Sequence, residues 1–399
     1  MQSLWKKPAA ERGVEPQHQG GIMCGMTMQK LPPPTWVATK EALQNMISAL
    51  EKETSVAVDT ESNSLYAYQE QVCLIQFSTP SEDFLLDPLA LPDLSSLAPL
   101  FSNPKIEKIF HAAEYDVICL ERDFGFKFAN LFDTMIAARI LSYQAVGLGK
   151  LLEQKFGVKV DKKFQKANWG KRPLSDEMLN YARLDTHYLI ELRKILKEEL
   201  INAGRWQLAQ EDFEMATIVN GKNHRTQIAA WERVGKRAKL DPRQATVLDA
   251  VCQAREELAA KMDRPTFKVV SNKLLVRLAE ETPRSRDELA ESGMTPHQIR
   301  RFGKPFLRAV RHGLQAELVK RTRHPRPSDA YLLRLDKLRN WRKERAKEIG
   351  VESDIVLPRT LMEEIAKENP NTEHELAKIM DKSPWRLNEY GREIIQKIQ

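Results

Sequence analysis

Val56-Ala57-Val58-Asp59-Thr60-Glu61 is the stretch on which the reading of this chain turns. Its apolar, β-branched run predicts a strand over Ser55 to Thr60 that ends in two carboxylates two positions apart. Strand side chains alternate with a period of two, so Asp59 and Glu61 share a face. Neighbouring carboxylates repel and each costs several kcal/mol to desolvate, a cost that a divalent cation between them offsets. Alone, the pair also fits a solvated strand edge, and the flanking sequence has to decide.

On the N-terminal side, Leu43, Met46, Ile47 and Leu50 recur at helical spacing and predict a helix over Lys40 to Glu51. On the C-terminal side, Val72 to Ser78, Asp83 to Leu86 and Ile106 to Phe110 read as strands. Amphipathic helical patterns follow at Glu114 to Phe124, Thr134 to Leu141 and Leu148 to Phe156, then over one long stretch from Ser175 to Ala203. Strands first, then helices interleaved with a strand, predict a three-layer α/β domain. Residues 1–35, rich in Gly, Pro, Gln and Met and closing on Pro32-Pro33-Pro34, read as a disordered lead-in in which Met23, Met26 and Met28 are alternative starts.

Beyond Glu211 the pattern is helical throughout, and it repeats. Displaced by 87 positions, Leu248, Arg255, Val269, Leu274, Ala279, Pro283, Leu289 and Ala290 fall on Leu335, Arg342, Val356, Leu361, Ala366, Pro370, Leu376 and Ala377. With one residue added, Pro296, Phe302 and Gly303 continue onto Pro384, Tyr390 and Gly391. Two copies of a small helical domain are expected, joined by the basic, Pro-stiffened Arg321-Thr-Arg-His-Pro-Arg-Pro-Ser. The expected order is a lead-in at 1–35, an α/β domain at 36–205, connecting helices at 206–241, helical domains at 242–320 and 329–399, and a linker at 321–328.

The 399 residues are 42% hydrophobic and 29% charged, which excludes collagen-like or wholly disordered chains. No run approaches 18 apolar residues, mean hydropathy is -0.49, and MQSLWKKPAAERG lacks the apolar core of a secretory signal, so a cytoplasmic protein without a membrane role is expected. Cys24, Cys73, Cys119 and Cys252 stand apart without zinc-site spacing and read as reduced, buried thiols. Phosphate-loop, dinucleotide, zincin and hydrolase-elbow signatures are missing from the sequence. Net charge is +7, and residues 206–399 hold 38 Lys and Arg against 29 Asp and Glu, whereas residues 1–205 hold 24 against 26. The basic half suits a polyanion.

Two further clusters carry chemistry. In His111-Ala-Ala-Glu-Tyr-Asp116, Asp116 falls in the first turns of a helix just after a strand, where a carboxylate also simply complements the helix N-terminus. In Tyr181-Ala-Arg-Leu-Asp185, the i and i+4 side chains share a helix face, so a phenol and a carboxylate address one place.

In order and spacing, these three clusters resemble the DEDD exonuclease superfamily in its tyrosine variant. The likeness widens through Phe110 to Asp116, Phe132-Asp133-Thr134, Asn168-Trp169-Gly-Lys-Arg172-Pro173-Leu174 and Tyr181 to Leu189, runs similar to the ribonuclease D family. The two repeats resemble HRDC domains, the second most clearly in Trp341-Arg-Lys-Glu-Arg-Ala, so that the resemblance spans residues 36–399.

The resemblance implies an RNase H-like (DnaQ-like) core with a mixed sheet. In it Asp59, Glu61, Asp116 and Asp185 hold two divalent cations, Mg²⁺ or Mn²⁺, with Asp59 bridging both. Tyr181 then orients the attacking water, one cation activates that water, and the other stabilises the departing 3′ oxygen. Asp133 reads as a helix start. Trp169 and Arg172 are candidates to stack on a base or neutralise phosphate, or else are structural; His111 is a hydrogen-bonded core residue or a ligand. The expected function is a monomeric, metal-dependent 3′ to 5′ exoribonuclease. It trims structured RNA such as tRNA precursors at an unpaired 3′ end and releases nucleoside 5′-monophosphates. A DNA exonuclease on the same chemistry and a non-catalytic RNA-binding scaffold are the alternatives.

Overall fold

The computed structural model describes residues 31–91, 93–218, 228–321 and 326–399. Six strands, β1 (Thr35–Val37), β2 (Ser55–Ser62), β3 (Val72–Ser78), β4 (Asp83–Leu86), β5 (Glu107–Phe110) and β6 (Leu131–Asp133), form one mixed sheet in the order β1-β4-β3-β2-β5-β6. β2 lies at its centre, antiparallel to β3 and parallel to β5. The expected α/β fold with a mixed sheet is therefore present, followed by helices alone.

Alternation along β2 sorts its side chains between two layers. Val56 and Val58 enter a core with α1 (Lys40–Leu50), α2 (Ala98–Ser102) and α3 (Glu114–Phe124), where Leu43, Leu50, Phe101, Val117 and Leu120 are buried. Ala57 enters the opposite core with α4 (Thr134–Ile140), α5 (Leu148–Phe156) and α7 (Leu189–Asn202). α6 (Asp176–His187) packs on β2, β3 and β4 on that second side. Carried on to the strand's end, the same alternation sends Asp59 and Glu61 toward α6 and Thr60 toward α3.

Several expectations need correction. The long helix expected from Ser175 to Ala203 is two helices that part at Tyr188, whose ring stacks on Phe156 with centroids 5.5 Å apart. α6 is tied to the sheet through Ser78 and Thr186 (2.7 Å) and through His187 and Asp83 (2.9 Å), while α7 turns away to pack on α4. β1 and β6 were not expected as strands, since three residues are too few to show alternation. The lead-in lies at residues 1–30 outside the described residues, but not to Pro34: Arg183 donates to the Pro32 carbonyl, and Thr35 opens β1. α8 (Trp206–Ala216), expected as a connector, buries Leu208, Ala209 and Phe213 in the α/β core, with the Phe213 ring 4.5 Å from that of Phe132. Cys73, Cys119 and Cys252 are free and buried; Cys24 lies outside the described residues.

After the short α9 (Ala230–Val234), two helical units follow, each with its own core. The first comprises α10 (Pro242–Lys261), a 3₁₀ turn at Thr266–Lys268, α11 (Asn272–Glu281), α12 (Arg286–Glu291) and α13 (Pro296–Gln315). The second comprises α14 (Asp329–Ile349), α15 (Ser353–Val356), α16 (Arg359–Glu368), α17 (Glu373–Ile379) and α18 (Pro384–Ile398). The repeat is reproduced in detail. Arg255 donates to the Val270 carbonyl and Arg342 to that of Leu357, and α11 and α16 both end on a left-handed residue, Thr282 at φ 47° and Asn369 at φ 50°. Among the described residues no helix is long and apolar enough to cross a membrane.

Candidate active site

Asp59 and Glu61 project from the end of β2, where the register with β3 shifts between Glu61 and Ser62. Such a bulge ends regular pairing and re-aims the side chains around it. From the second layer, α6 brings Tyr181 and Asp185 one turn apart to the same place. From the first layer, α3 brings Asp116 in its first turn.

The start of α3 is held from a distance. Its own preceding residue, Ala113, supplies no side-chain cap; Asp133 instead accepts from the backbone N–H groups of Ala112 (3.1 Å) and Ala113 (2.7 Å). The same carboxylate caps α4 by accepting from Met135 (2.7 Å) and Ile136 (3.1 Å). Asp133 is thus a helix start, as its sequence context suggests, and it serves two helices. Ala112 is held in the left-handed region at φ 64°, a conformation that L-residues leave unless tied, and the Asp133 bond ties it. His111 Nδ1 lies 2.9 Å from the Thr134 hydroxyl, which itself donates to the Phe110 carbonyl, so the imidazole Nδ1–H is the donor. His111 therefore stitches β5 to α4 here, the hydrogen-bonded alternative of its two readings.

The electrostatics show four carboxyl groups acting on one another. Burial first, and then the negative charges of Asp116, Asp185 and Glu61, raise the Asp59 carboxyl well above the usual carboxylate range. Glu61 is pushed up to about 9 by burial and then by Asp185 and Asp116. Asp185 is pushed up to about 7 by burial and then by Asp116. Asp116 is pushed up to about 7 chiefly by burial, against a lowering hydrogen bond from the Thr60 hydroxyl. Burial raises the Tyr181 phenol above its ordinary value, reinforced by Asp185, Glu61 and Asp59, so it keeps near neutral pH a proton that it is able to donate.

The donor set fits hard divalent cations: all four groups offer carboxylate oxygen, and each charge makes its neighbours costlier until positive charge intervenes. Among the described residues no three carboxyl groups already close into a ligand cage, so the fit rests on donor chemistry and charge.

Trp169 and Arg172 stand differently from their expected substrate roles. Trp169 is 1% exposed and packs with its ring centroid 6.1 Å from that of Tyr181, leaving no face for a base. Arg172 is committed to both oxygens of Asp87 (2.6 and 2.7 Å) and to the carbonyls of Cys73 and Trp169 (each 2.7 Å), where it anchors the segment that wedges Trp169 under Tyr181. Sequence reading missed Thr60, whose only signal is its place between two candidate carboxylates. It also missed what borders the site. The loop after Glu61 meets the first helical unit: Tyr68 N–H donates to Asp263 (3.0 Å), and Lys268 Nζ lies 4.1 Å from the centroid of the Tyr66 ring. Between them, Ser64 and the Ala67 to Glu70 stretch face Glu256 and Phe267 across a cleft of about 540 Å³.

Comparison with known proteins accords with this arrangement. The 3′-5′ exonuclease family matches residues 34–201, and the HRDC domain family matches residues 244–310 and 332–398. Ribonuclease D of Haemophilus influenzae is 32% identical over 279 residues, 69% of this chain and 69% of that protein. The exosome complex component 10 homolog of Caenorhabditis elegans is 35% identical over 268 residues, 65% of this chain; the chain spans only 30% of that relative's length. The solved structure of Escherichia coli RNase D, described as an exoribonuclease involved in structured RNA processing, shares the fold with a TM-score of 0.66 at 23% identity, covering 92% of this chain and 98% of that one. A 3′-5′ exonuclease domain followed by two HRDC domains, with sequence likeness to the bacterial enzyme over 69% of each chain, places this chain in the ribonuclease D family.

Proposed function

We propose that this protein is a metal-dependent 3′ to 5′ exoribonuclease that trims the unpaired 3′ ends of structured RNA, tRNA precursors among them, and releases nucleoside 5′-monophosphates. The observation that carries this reading is the meeting of Asp59, Glu61, Asp116 and Asp185 with the protonated phenol of Tyr181, brought from three separate elements. Asp59, Glu61, Asp116 and Asp185 hold two divalent cations, Mg²⁺ or Mn²⁺. When bound, these cations activate the attacking water and offset charge on the departing 3′ oxygen. Tyr181 donates its hydroxyl proton in a hydrogen bond that keeps the water in line with the scissile bond. Thr60 holds Asp116 in orientation, and Trp169 holds the Tyr181 ring from behind, so the phenol meets the water without rotamer search.

Digestion of a 5′-labelled hairpin RNA carrying a single-stranded 3′ tail tests the proposal, with Mg²⁺ or EDTA and with wild type or Asp185→Asn. The expected result is a ladder that shortens from the 3′ end, disappears in EDTA and is lost in the variant. Uncut RNA under every divalent ion tried, with binding retained, overturns the enzyme reading in favour of a scaffold; faster loss of a matched DNA strand moves the substrate class to DNA.

A further inference from the structure

The two HRDC copies share a fold but not a charge. Residues 242–320 carry 15 Lys and Arg against 10 Asp and Glu, whereas residues 329–399 carry 14 against 14. The whole excess of the first copy sits on one helix. α13, Pro-His-Gln-Ile-Arg-Arg-Phe-Gly-Lys-Pro-Phe-Leu-Arg-Ala-Val-Arg-His-Gly-Leu-Gln, has five Lys or Arg and no acidic residue. Arg300, Lys304, Arg308 and Arg311 recur at intervals of three or four, so they line one face; each is exposed, and none makes an ion pair with a described acid. The opposite face buries Phe302, Phe306, Ala309 and Val310, and Gly313 lets the helix approach so closely that a Cβ there would lie 2.6 Å from the Val247 Cα. The helix cannot roll to hide its charge.

The corresponding helix of the second copy is used differently. On α18, Arg386 is fully buried and pairs with Glu211 and with Asp212 (2.7 Å), both on α8 of the exonuclease domain. Trp385 N–H also donates to Glu211 (2.9 Å), and Ile355 of the same copy lies in the exonuclease core. Arg392 faces Glu373, and Glu389 and Glu393 share the helix with Lys397. The second copy is a docked strut with little free positive charge on this helix.

We infer that the two copies divide the work: α13 of the first HRDC domain is the grip on the RNA phosphate backbone, and the second HRDC domain braces the catalytic domain without holding RNA through α18. This rests on the exoribonuclease reading and says where its substrate lies. Four cations without a described acidic partner, spread over about 16 Å of helix, match a polyanion whose duplex carries a charge roughly every 1.7 Å, and release of counterions makes the contact favourable. Gln298, one turn into α13, reaches the carbonyl of Val269 beside the 3₁₀ turn whose Lys268 meets the Tyr66 loop after Glu61. The basic stripe thus starts from the part of the first copy that touches the active-site loop.

The test measures affinity of the full chain for the tailed hairpin in EDTA across a salt series, together with initial rates on that hairpin and on a five-nucleotide RNA in Mg²⁺. Lys304→Gln/Arg308→Gln/Arg311→Gln is expected to weaken hairpin binding about 10- to 100-fold at low salt and to make the log–log salt slope shallower by about 2 to 3. The five-nucleotide RNA, which offers α13 few phosphates to hold, is cut within about twofold of the wild-type rate. Arg392→Gln/Lys397→Gln on α18 leaves hairpin affinity and slope unchanged. Wild-type affinity in the α13 variant, which would direct that surface to an acidic protein, overturns the inference, and so does an equal loss from the α18 variant. A wild-type chain that cuts neither RNA, yet loses affinity through α13, removes the nuclease reading and keeps the grip.

Discussion

At Asp185, stability and function pull in opposite directions. Its carboxyl stands at about 7 instead of 3.8 in the folded chain, so between about pH 4 and 7 the folded state holds a proton that the unfolded state has released. Metal-free stability therefore falls as pH rises through that window, and above it the folded chain carries the full penalty of burial beside Asp116. Asp185→Asn removes the charge. In EDTA at pH 8 the variant should be more stable by about 1–3 kcal/mol, allowing for its partly open side, or roughly 3–8 °C in Tm, with the gap closing toward pH 4. Mg²⁺ should raise the Tm of wild type and barely move the variant; melting curves at pH 5 and 8 decide it, and a variant less stable than wild type in EDTA at pH 8 would contradict it. Tyr181→Phe keeps the ring against Trp169 and loses the donor, so kcat on the tailed hairpin should fall about 10- to 100-fold with KM little changed. At this scale the sequence was most legible where chemistry and spacing coincide, at the four carboxylates and the phenol. Trp169 misled because an aromatic in a polar stretch looks the same whether it stacks on a base or on a tyrosine. Thr60 was silent because a hydroxyl between two carboxylates announces no partner 56 positions away.

Elements place these residues, and the shared cap is where that placement is most exposed. Asp133 satisfies four backbone N–H groups at the starts of α3 and α4, and Asp116 is the third residue of α3. Asp133→Ala should cost about 2–4 kcal/mol, since each lost cap is worth about 1 kcal/mol and the site is buried. It should also lower kcat beyond what instability explains, measured well below the variant's own Tm; activity kept at the wild-type level there would show that α3 is positioned by packing alone. Long periodic elements were readable in advance: α1, α3 and α5 begin and end within a residue of expectation because their apolar spacing is sustained, with Thr39 capping the start of α1 and the left-handed Gly125 and Gly157 ending α3 and α5. β1 and β6 were not, because three residues carry no period. The break at Tyr188 was hidden for a different reason. α6 and α7 have continuous helical patterns, and only the tie of Thr186 and His187 to the sheet, a tertiary fact, parts them.

At the scale of the whole molecule, one buried charge cluster joins the last domain to the first. Arg386 is enclosed by Glu211, Asp212 and the carbonyls of Ile355 (2.7 Å) and Val356 (3.2 Å). Around it, Arg139 pairs with Asp354 (2.7 Å) across the same junction, and Arg205, held to the Ile140 carbonyl of its own domain (2.5 Å), reaches over to the carbonyl of Ile349 (2.6 Å). The repeat itself was visible in the sequence, but its docking was not, since an Arg that is buried at a junction and one that is solvated on a surface are the same letter. Removing Arg386 strands two carboxylates in a closed interior, which should cost about 3–5 kcal/mol. Arg386→Ala should therefore free the second HRDC domain, seen as new protease cleavage between Arg321 and Ser328. Replacing all three charges together, as Arg386→Met/Glu211→Leu/Asp212→Leu, removes the attraction and the desolvation at once and should bring back most of the lost stability. If the triple variant instead melts as low as Arg386→Ala, the cluster is the chief source of adhesion at the junction. If it recovers, apolar packing around Ile355 and Trp385 supplies the adhesion, and the charges set only the orientation in which the two domains meet.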